Sequence, residues 1–292
     1  MANAGSVAIR RREICRDDLP ALAELLARGF PRPLGFWTTA LEALALRPVP
    51  ENYPRYGFLL EQEGRPVGVL LTLFTRVPGA PDRLRCNISS WYVDPACRAG
   101  GYASALIAAA LRFKEVTYVN VSPARHTWQI IEAQGFRRYC EGQMICAPLL
   151  GGLFSKARAA AFDVAADYGA TLDEEERALL ASHQAYGCVA LVVTEAGRAF
   201  PFIFLPRRVL KGILPVMQLV YCRDRADFVR FSGALGRALA LRGHAFVVLD
   251  ANAAIPGLIG VFRADSGPKY YKGPDRPRLG DLAYCESVLF GA

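Results

Sequence analysis

The chain has 292 residues, 52% of them hydrophobic and 21% charged, with a formal net charge of +8. That balance excludes a disordered or fibrous chain and supplies apolar material for one large domain or two ordinary ones. The positive surplus favours an anionic ligand such as a phosphate ester; RNA and an anionic membrane surface are the other classes it admits.

No run is long and apolar enough to span a bilayer, and the first ten residues hold no signal-peptide core, so a cytoplasmic location is expected. Eight cysteines are scattered without a Cys-x-x-Cys pair, and the three histidines (His126, His183, His244) have no metal-like partners nearby in the sequence. No metal site is therefore expected, and the cysteines read as small buried hydrophobes in a reducing compartment.

Val7-Ala-Ile-Arg-Arg11 predicts a short strand, with Arg10-Arg11-Arg12 as a charged, solvated edge. Arg16-Asp17-Asp18 then caps a helix whose Leu19, Leu22, Leu25 and Leu26 recur at helical spacing. A second helix is expected over Phe36–Leu46. Tyr56–Gln62 and Pro66–Phe74 flank Glu63-Gly64-Arg65, the pattern of a hairpin with a glycine-containing loop. Leu84–Val93 reads as a strand that Asp94-Pro95 stops, and Ser104–Arg112 as an Ala/Leu-rich helix. Val116–Val121 is the next strand, and a helix over Arg125–Gln134 ends at Gly135 before another strand opens at Phe136.

Between the strand end and the helix start lies Arg98-Ala-Gly-Gly-Tyr-Ala103. A glycine loop in that position aims several backbone N–H groups at one spot, which favours an anion, most often a phosphate. A Walker loop would end Gly-Lys-Ser/Thr, and a dinucleotide fingerprint would run Gly-x-Gly-x-x-Gly; neither occurs. The arrangement resembles the acyl-CoA site of the GNAT acyltransferases, whose signature is Arg/Gln-x-x-Gly-x-Gly/Ala after the fourth strand. The run to Glu132-Ala-Gln-Gly-Phe136 resembles the family's second motif. The resemblance implies acetyl-CoA or another acyl-CoA as co-substrate, with no metal. It places the phosphates on Arg98, Ala99, Gly100, Gly101, Tyr102 and Ala103, assigns polarisation of the thioester carbonyl to the backbone N–H of Val93, and lays the pantetheine between the Leu84–Val93 and Val116–Val121 strands.

The second half repeats this order. Gly197-Arg198 follows Gly64-Arg65 by 133 positions, again between hydrophobic runs. Val216–Tyr221 echoes the strand ending at Tyr92, a helix is expected over Phe228–Arg242, and Phe246–Asp250 corresponds to the Tyr118 strand. The expectation is an α/β chain of two GNAT-like domains, each a mixed twisted sheet flanked by helices, with residues 1–150 as the acyl-CoA-binding copy and 151–292 as a degenerate one. A break near Pro148–Gly152 marks the boundary. In the second copy no glycine loop follows Tyr221, and Asp224 and Asp227 stand where phosphates would have to approach.

The residues for proton transfer depart from the family. Where some relatives carry a Glu as general base this chain has Asn87, which cannot accept a proton in that role, and Ile131 stands at the usual general-acid Tyr. Ser122 and Tyr139 are the favoured substitutes; Tyr118, His126 and Tyr92 are the others. No Cys-His or Ser-His pair suggests a covalent intermediate, so the resemblance implies direct attack by a small-molecule or peptide acceptor in a ternary complex. Two other classes stay open: an aminoacyl-tRNA-dependent transferase and a non-catalytic acyl-CoA sensor. Lys269–Arg278 interleaves basic and aromatic residues, as a nucleic-acid surface or an exposed final hairpin would. The exposed hairpin is preferred.

Overall fold

The computed structural model describes residues 8–152, 157–209 and 212–291. Contacts group the chain into two compact units, one formed by residues up to Val77 with Asp82–Asn120, the other by Pro78–Pro81 with the chain from Val121.

The first unit runs β1 (Arg10–Glu13), α1 (Leu19–Gly29), α2 (Leu34–Leu46), β2 (Gly57–Gln62), β3 (Arg65–Val77), β4 (Ala80–Val93), α3 (Tyr102–Ala110) and β5 (Val116–Asn120). The expected first strand starts at Arg10; Val7 lies outside the described residues. Strands β1 to β5 are neighbours in chain order. Helix α1 buries Leu22, Ala23, Leu25 and Leu26, the face its spacing predicts, against α2 and β3. The β2–β3 turn pairs Gln62 with Arg65 and holds Glu63 and Gly64 both at positive φ, 51° and 77°. Two such residues form the turn whose twist matches a hairpin, which is why a glycine stands there. Arg12 is more than a solvated edge: its guanidinium bridges Asp18 and Glu61.

The second unit continues with α4 (Trp128–Ala133), β6 (Arg137–Cys146), β7 (Arg158–Ala161), α5 (Glu174–Ala185), β8 (Val189–Glu195), β9 (Arg198–Val209), β10 (Leu214–Cys222), α6 (Arg225–Arg230), α7 (Ser232–Ala240), β11 (Val247–Ala251), β12 (Gly260–Lys272) and α8 (Glu286–Leu289). Strands β7 to β11 are neighbours in chain order, as β1 to β5 are. The β8–β9 turn again holds two residues at positive φ, Ala196 and Gly197, between paired Glu195 and Arg198. On the far side of β11 lies β6, itself paired with β12. The core of this unit gathers Met144, Phe202, Phe204, Met217, Phe228, Phe231, Leu235 and Leu249 from β6, β9, β10, α6, α7 and β11.

Three expectations change. The helix expected over 125–134 is a 3-10 turn at Arg125–Thr127 followed by the short α4, and the helix expected over 228–242 is split into α6 and α7 around Phe231. Helix α7 lies directly on the 3-10 turn Pro148–Gly151: a Cβ on Gly233 would stand 2.0 Å from the Gly152 carbonyl, and one on Gly236 would stand 2.3 Å from the Leu149 nitrogen. The Lys269–Arg278 segment is neither a nucleic-acid surface nor an exposed hairpin over its first half. Tyr270 and Tyr271 are buried, and Lys269, 2% exposed, donates to Asp250 at 2.7 Å. Burial of an unpaired ammonium would be costly, and Asp250 supplies the partner. The contact grouping places β6 with the second unit because it pairs with β11 and β12.

Candidate functional site

At the end of β4, Val93 is buried and the Asp94 N–H donates to the Val67 carbonyl at 2.8 Å, fixing where the strand stops. Residues Pro95–Gly100, including Ala99 and Gly100, form a 3-10 turn. Gly101 then adopts φ 71°, ψ 7° as the N-cap of α3. No side chain caps this helix and its first turn holds no acid, so the N–H groups from Gly101 through Tyr102 and Ala103 to Ser104 form an open donor set. A Cβ at Gly101 would meet nothing within 4 Å, whereas one at Gly100 would strike the Tyr102 ring at 2.2 Å. The space before Gly101 is therefore clear on the protein side. Arg98 adds a cation: its Nε–H donates to the Val93 carbonyl at 2.9 Å, and its guanidinium stands 5.8 Å from the Tyr92 ring. Donors, dipole and charge together suit a phosphate.

The strands leading here part. β4 and β5 run parallel in register from Leu84↔Val116 to Asn87↔Val119, and β4 then continues through Ser90, at φ 51°, to Val93. A residue at positive φ in a strand turns the backbone as a bulge does. Asn87 sits where the ladder closes, its Nδ2–H donating to the Ile88 carbonyl at 3.0 Å and the Val119 carbonyl at 3.4 Å. It joins the two strands at that point; it does not hold a proton acceptor's position by chemistry. Past its end, β4 leads through the 3-10 turn to the uncapped start of α3.

The remaining candidates lie on different elements. Tyr139 on β6 is buried, with its ring edge-on to Tyr271 at 6.0 Å. The Tyr118 hydroxyl accepts from the Phe113 N–H at 3.2 Å, and burial pushes its phenol up. His126 is exposed in a 3-10 turn. Tyr92 is half-buried and donates to Asp94 at 3.0 Å; burial first, then that bond, raise its pKa. Ser122 is exposed and its hydroxyl donates to the carboxylate of Glu286, a buried residue at the start of α8. Sequence reasoning missed Glu286, which lies 164 positions away. Its one sequence signal is a single acid inside the apolar run Ala283–Phe290. Cys97, beside the loop, is half-buried, with Gln62 Oε1 3.9 Å from its sulfur. Among the described residues, no group of His, Cys, Asp and Glu is placed to hold a metal.

In the second unit the corresponding helix start is closed. The Asp224 carboxylate caps α6 by accepting from the Ala226 N–H at 2.9 Å. Asp227 follows in the first turn, its carboxyl pushed up by burial and by Asp224. The Asp224 carboxylate thus takes a helix-start N–H that is left uncapped at α3.

Residues 19–124 match the model described as the Acetyltransferase (GNAT) family. Among solved structures, the chain is similar to a GCN5-related N-acetyltransferase from Anabaena variabilis, at 11% identity, 90% coverage of this chain, 72% of that one and a TM-score of 0.58. It is also similar to a protein of Pyrococcus horikoshii, at 13% identity, 98% and 96% coverage and a TM-score of 0.56. A GCN5-related N-acetyltransferase from Kribbella flavida gives 13% identity, 92% and 72% coverage and a TM-score of 0.55. At these identities the likeness is one of fold. No curated protein sequence matches the chain.

Proposed function

We propose, for a chain whose residues 19–124 carry the GNAT acetyltransferase match, that it transfers an acetyl or other acyl group from acyl-CoA to an amine or hydroxyl acceptor. The observation that carries this reading is the uncapped start of α3 at Gly101, beside Arg98 and at the mouth of the parting β4 and β5. Arg98 and the amides of Ala99, Gly100, Gly101, Tyr102 and Ala103 hold the phosphates. The Val93 N–H polarises the acyl carbonyl. Acyl-CoA, when bound, supplies an activated thioester. As the acceptor's C–N or C–O bond forms, the C–S bond breaks, and CoA leaves as the thiol after taking up a proton. We assign the acceptor's proton to Ser122 and Glu286: a carboxylate already accepting from an exposed hydroxyl can draw a proton through it. Tyr139 has no part in this assignment, since its ring is packed in the sheet.

Residues 1–150 are read as the acyl-CoA copy and 151–292 as a degenerate copy. The shared strand order and the two matching hairpin turns support a duplication. A sensor is the second reading, favoured by Asn87 and the buried Ile131 at the positions where relatives carry catalytic groups. The tRNA-dependent reading is disfavoured because it leaves the Arg98–Ala103 loop without a role, and the buried Lys269 and Tyr270 add no basic surface to it.

Thermal melts test binding: CoA at 100 times its dissociation constant should stabilise the fold by about 2.7 kcal/mol. No shift at millimolar CoA in a folded sample refutes the proposal. Continuous release of free CoA from acetyl-CoA with any member of an amine panel distinguishes enzyme from sensor.

A further inference from the structure

The second unit repeats the parting strands as well as the strand order. β10 and β11 run parallel through Met217↔Val247 and Gln218↔Val248, and β10 then passes a bulge between Leu219 and Tyr221. One edge of β10 stays paired with β9 as far as Cys222. Past Gln218 the register with β11 ends, leaving the other edge of residues 220–222 facing a notch. In the first unit the equivalent notch, past Asn87↔Val119, is the slot read above as the pantetheine site.

That edge is taken by the chain itself. The Leu282 N–H donates to the Val220 carbonyl at 2.7 Å, and the Cys222 N–H donates to the Gly280 carbonyl at 3.0 Å. Tyr221 and Asp281 are bridge partners, antiparallel. Arg278 donates to the Cys222 carbonyl and lays its guanidinium over the Tyr221 ring at 5.1 Å. Residues 280–283 are all buried. Gly280 is required: it has φ 85°, and a Cβ there would meet the Cys222 sulfur at 2.9 Å. Downstream, the Tyr284 N–H donates to Nε2 of the buried His183, anchoring the segment's far end.

We infer that residues 278–283 are a built-in strand ligand of the second unit, occupying its β10 notch through main-chain hydrogen bonds and so excluding the pantetheine arm of acyl-CoA from that unit. An extended chain laid on an open strand edge satisfies the same N–H and C=O groups that the amides of pantetheine would use. The second unit is thus closed twice, at the helix start by Asp224 and in the notch by this strand. Releasing the strand opens a second notch. The comparison with the first unit rests on the proposed acyl-CoA reading; the strand's occupancy does not.

Hydrogen exchange on the full chain, read by mass spectrometry with and without millimolar CoA, tests this. In the unaltered protein, peptides covering 220–222 and 278–283 should be protected and unaffected by CoA, while 98–105 gains protection. In Gly280→Val, exchange over 220–222 should rise on the order of tenfold or more while 142–146 in the core stays protected, and millimolar pantetheine, which carries no phosphate to meet Asp224, should then slow it. If Gly280→Val also exposes 142–146, Arg278→Ala, which removes two of the strand's contacts without entering the core, is read the same way. A CoA response over 220–222 in the unaltered protein overturns the inference, as does a freed notch whose exchange pantetheine does not slow. Absence of a response at 98–105, with protection at 220–222 and 278–283 intact, instead refutes the proposed activity and leaves the strand in place.

Discussion

Gly101→Val separates a turn from a ligand site. Gly101 holds φ 71° with nothing within 4 Å of a Cβ placed there, so the substitution creates no clash with the protein. Its structural cost is backbone strain, roughly 1–2 kcal/mol for a residue with a side chain in the left-handed region. Gly64 in the β2–β3 turn is the matched control, with φ 77° and an equally empty surrounding. Gly64→Val and Gly101→Val should therefore lower Tm by similar amounts, about 2–4 °C per kcal/mol for a domain of this size class. Binding should distinguish them. At position 101 the valine methyl groups fill the volume through which a pyrophosphate must approach the amides of Gly101, Tyr102 and Ala103. CoA affinity measured by calorimetry should fall tenfold or more, at least about 1.4 kcal/mol, and stay unchanged in Gly64→Val. Equal affinity in the two variants would refute the reasoning and leave the loop as a connection between strand and helix.

Glu286→Gln should lower kcat on the order of a hundredfold with CoA affinity unchanged, because the amide cannot draw a proton from Ser122; full-rate turnover in the variant removes Glu286 from the chemistry. Lys269→Met leaves Asp250 buried without its ammonium and should cost about 3–5 kcal/mol in denaturant melts, with a loss under 1 kcal/mol showing that water or another group replaces the pair. Acid stability should report Asp18, whose carboxyl is lowered from 3.8 to about 2, chiefly by its hydrogen bonds from Arg12. Its folded pKa lies below the unfolded one, so its contribution is full above about pH 4 and lost as pH falls toward 2. The shift sets a ceiling of about 2 kcal/mol, which solvent screening of this partly exposed pair reduces to about 1. Thermal melts of Asp18→Asn should accordingly match the parent near pH 2 and fall below it at pH 5; a pH-independent difference would exclude the ion pair as the cause.

Much of the first unit was legible because its signals are local. The leucine spacing of α1 fixes a buried face, Glu63-Gly64 fixes a hairpin turn, and the glycines after Asp94 fix an uncapped helix start. Each depends on residues within a few positions of one another, where backbone sterics and periodicity decide alone. The second hairpin turn was legible for the same reason, since Ala196-Gly197 makes the same turn as Glu63-Gly64. Residues that act through distant partners could not be read this way. Lys269 looked like a surface cation because its neighbours Tyr270, Tyr271 and Lys272 suit a surface; only the pairing of β12 with β6, next to β11, brings Asp250 within 2.7 Å and makes burial affordable. Ser122 reads as a helix-capping serine until α8 brings Glu286 to it from 164 residues away. Gly280 carries no local motif, yet the free edge of β10 makes it the point where the chain enters a notch left by the end of the β10–β11 ladder. The sequence by itself determined most of the elements, their order and the glycine loop before α3. Which polar groups meet in the interior was decided by tertiary structure, because a hydrogen bond or ion pair depends on separation in space, and strand pairing and helix packing bring residues far apart in the chain to that distance.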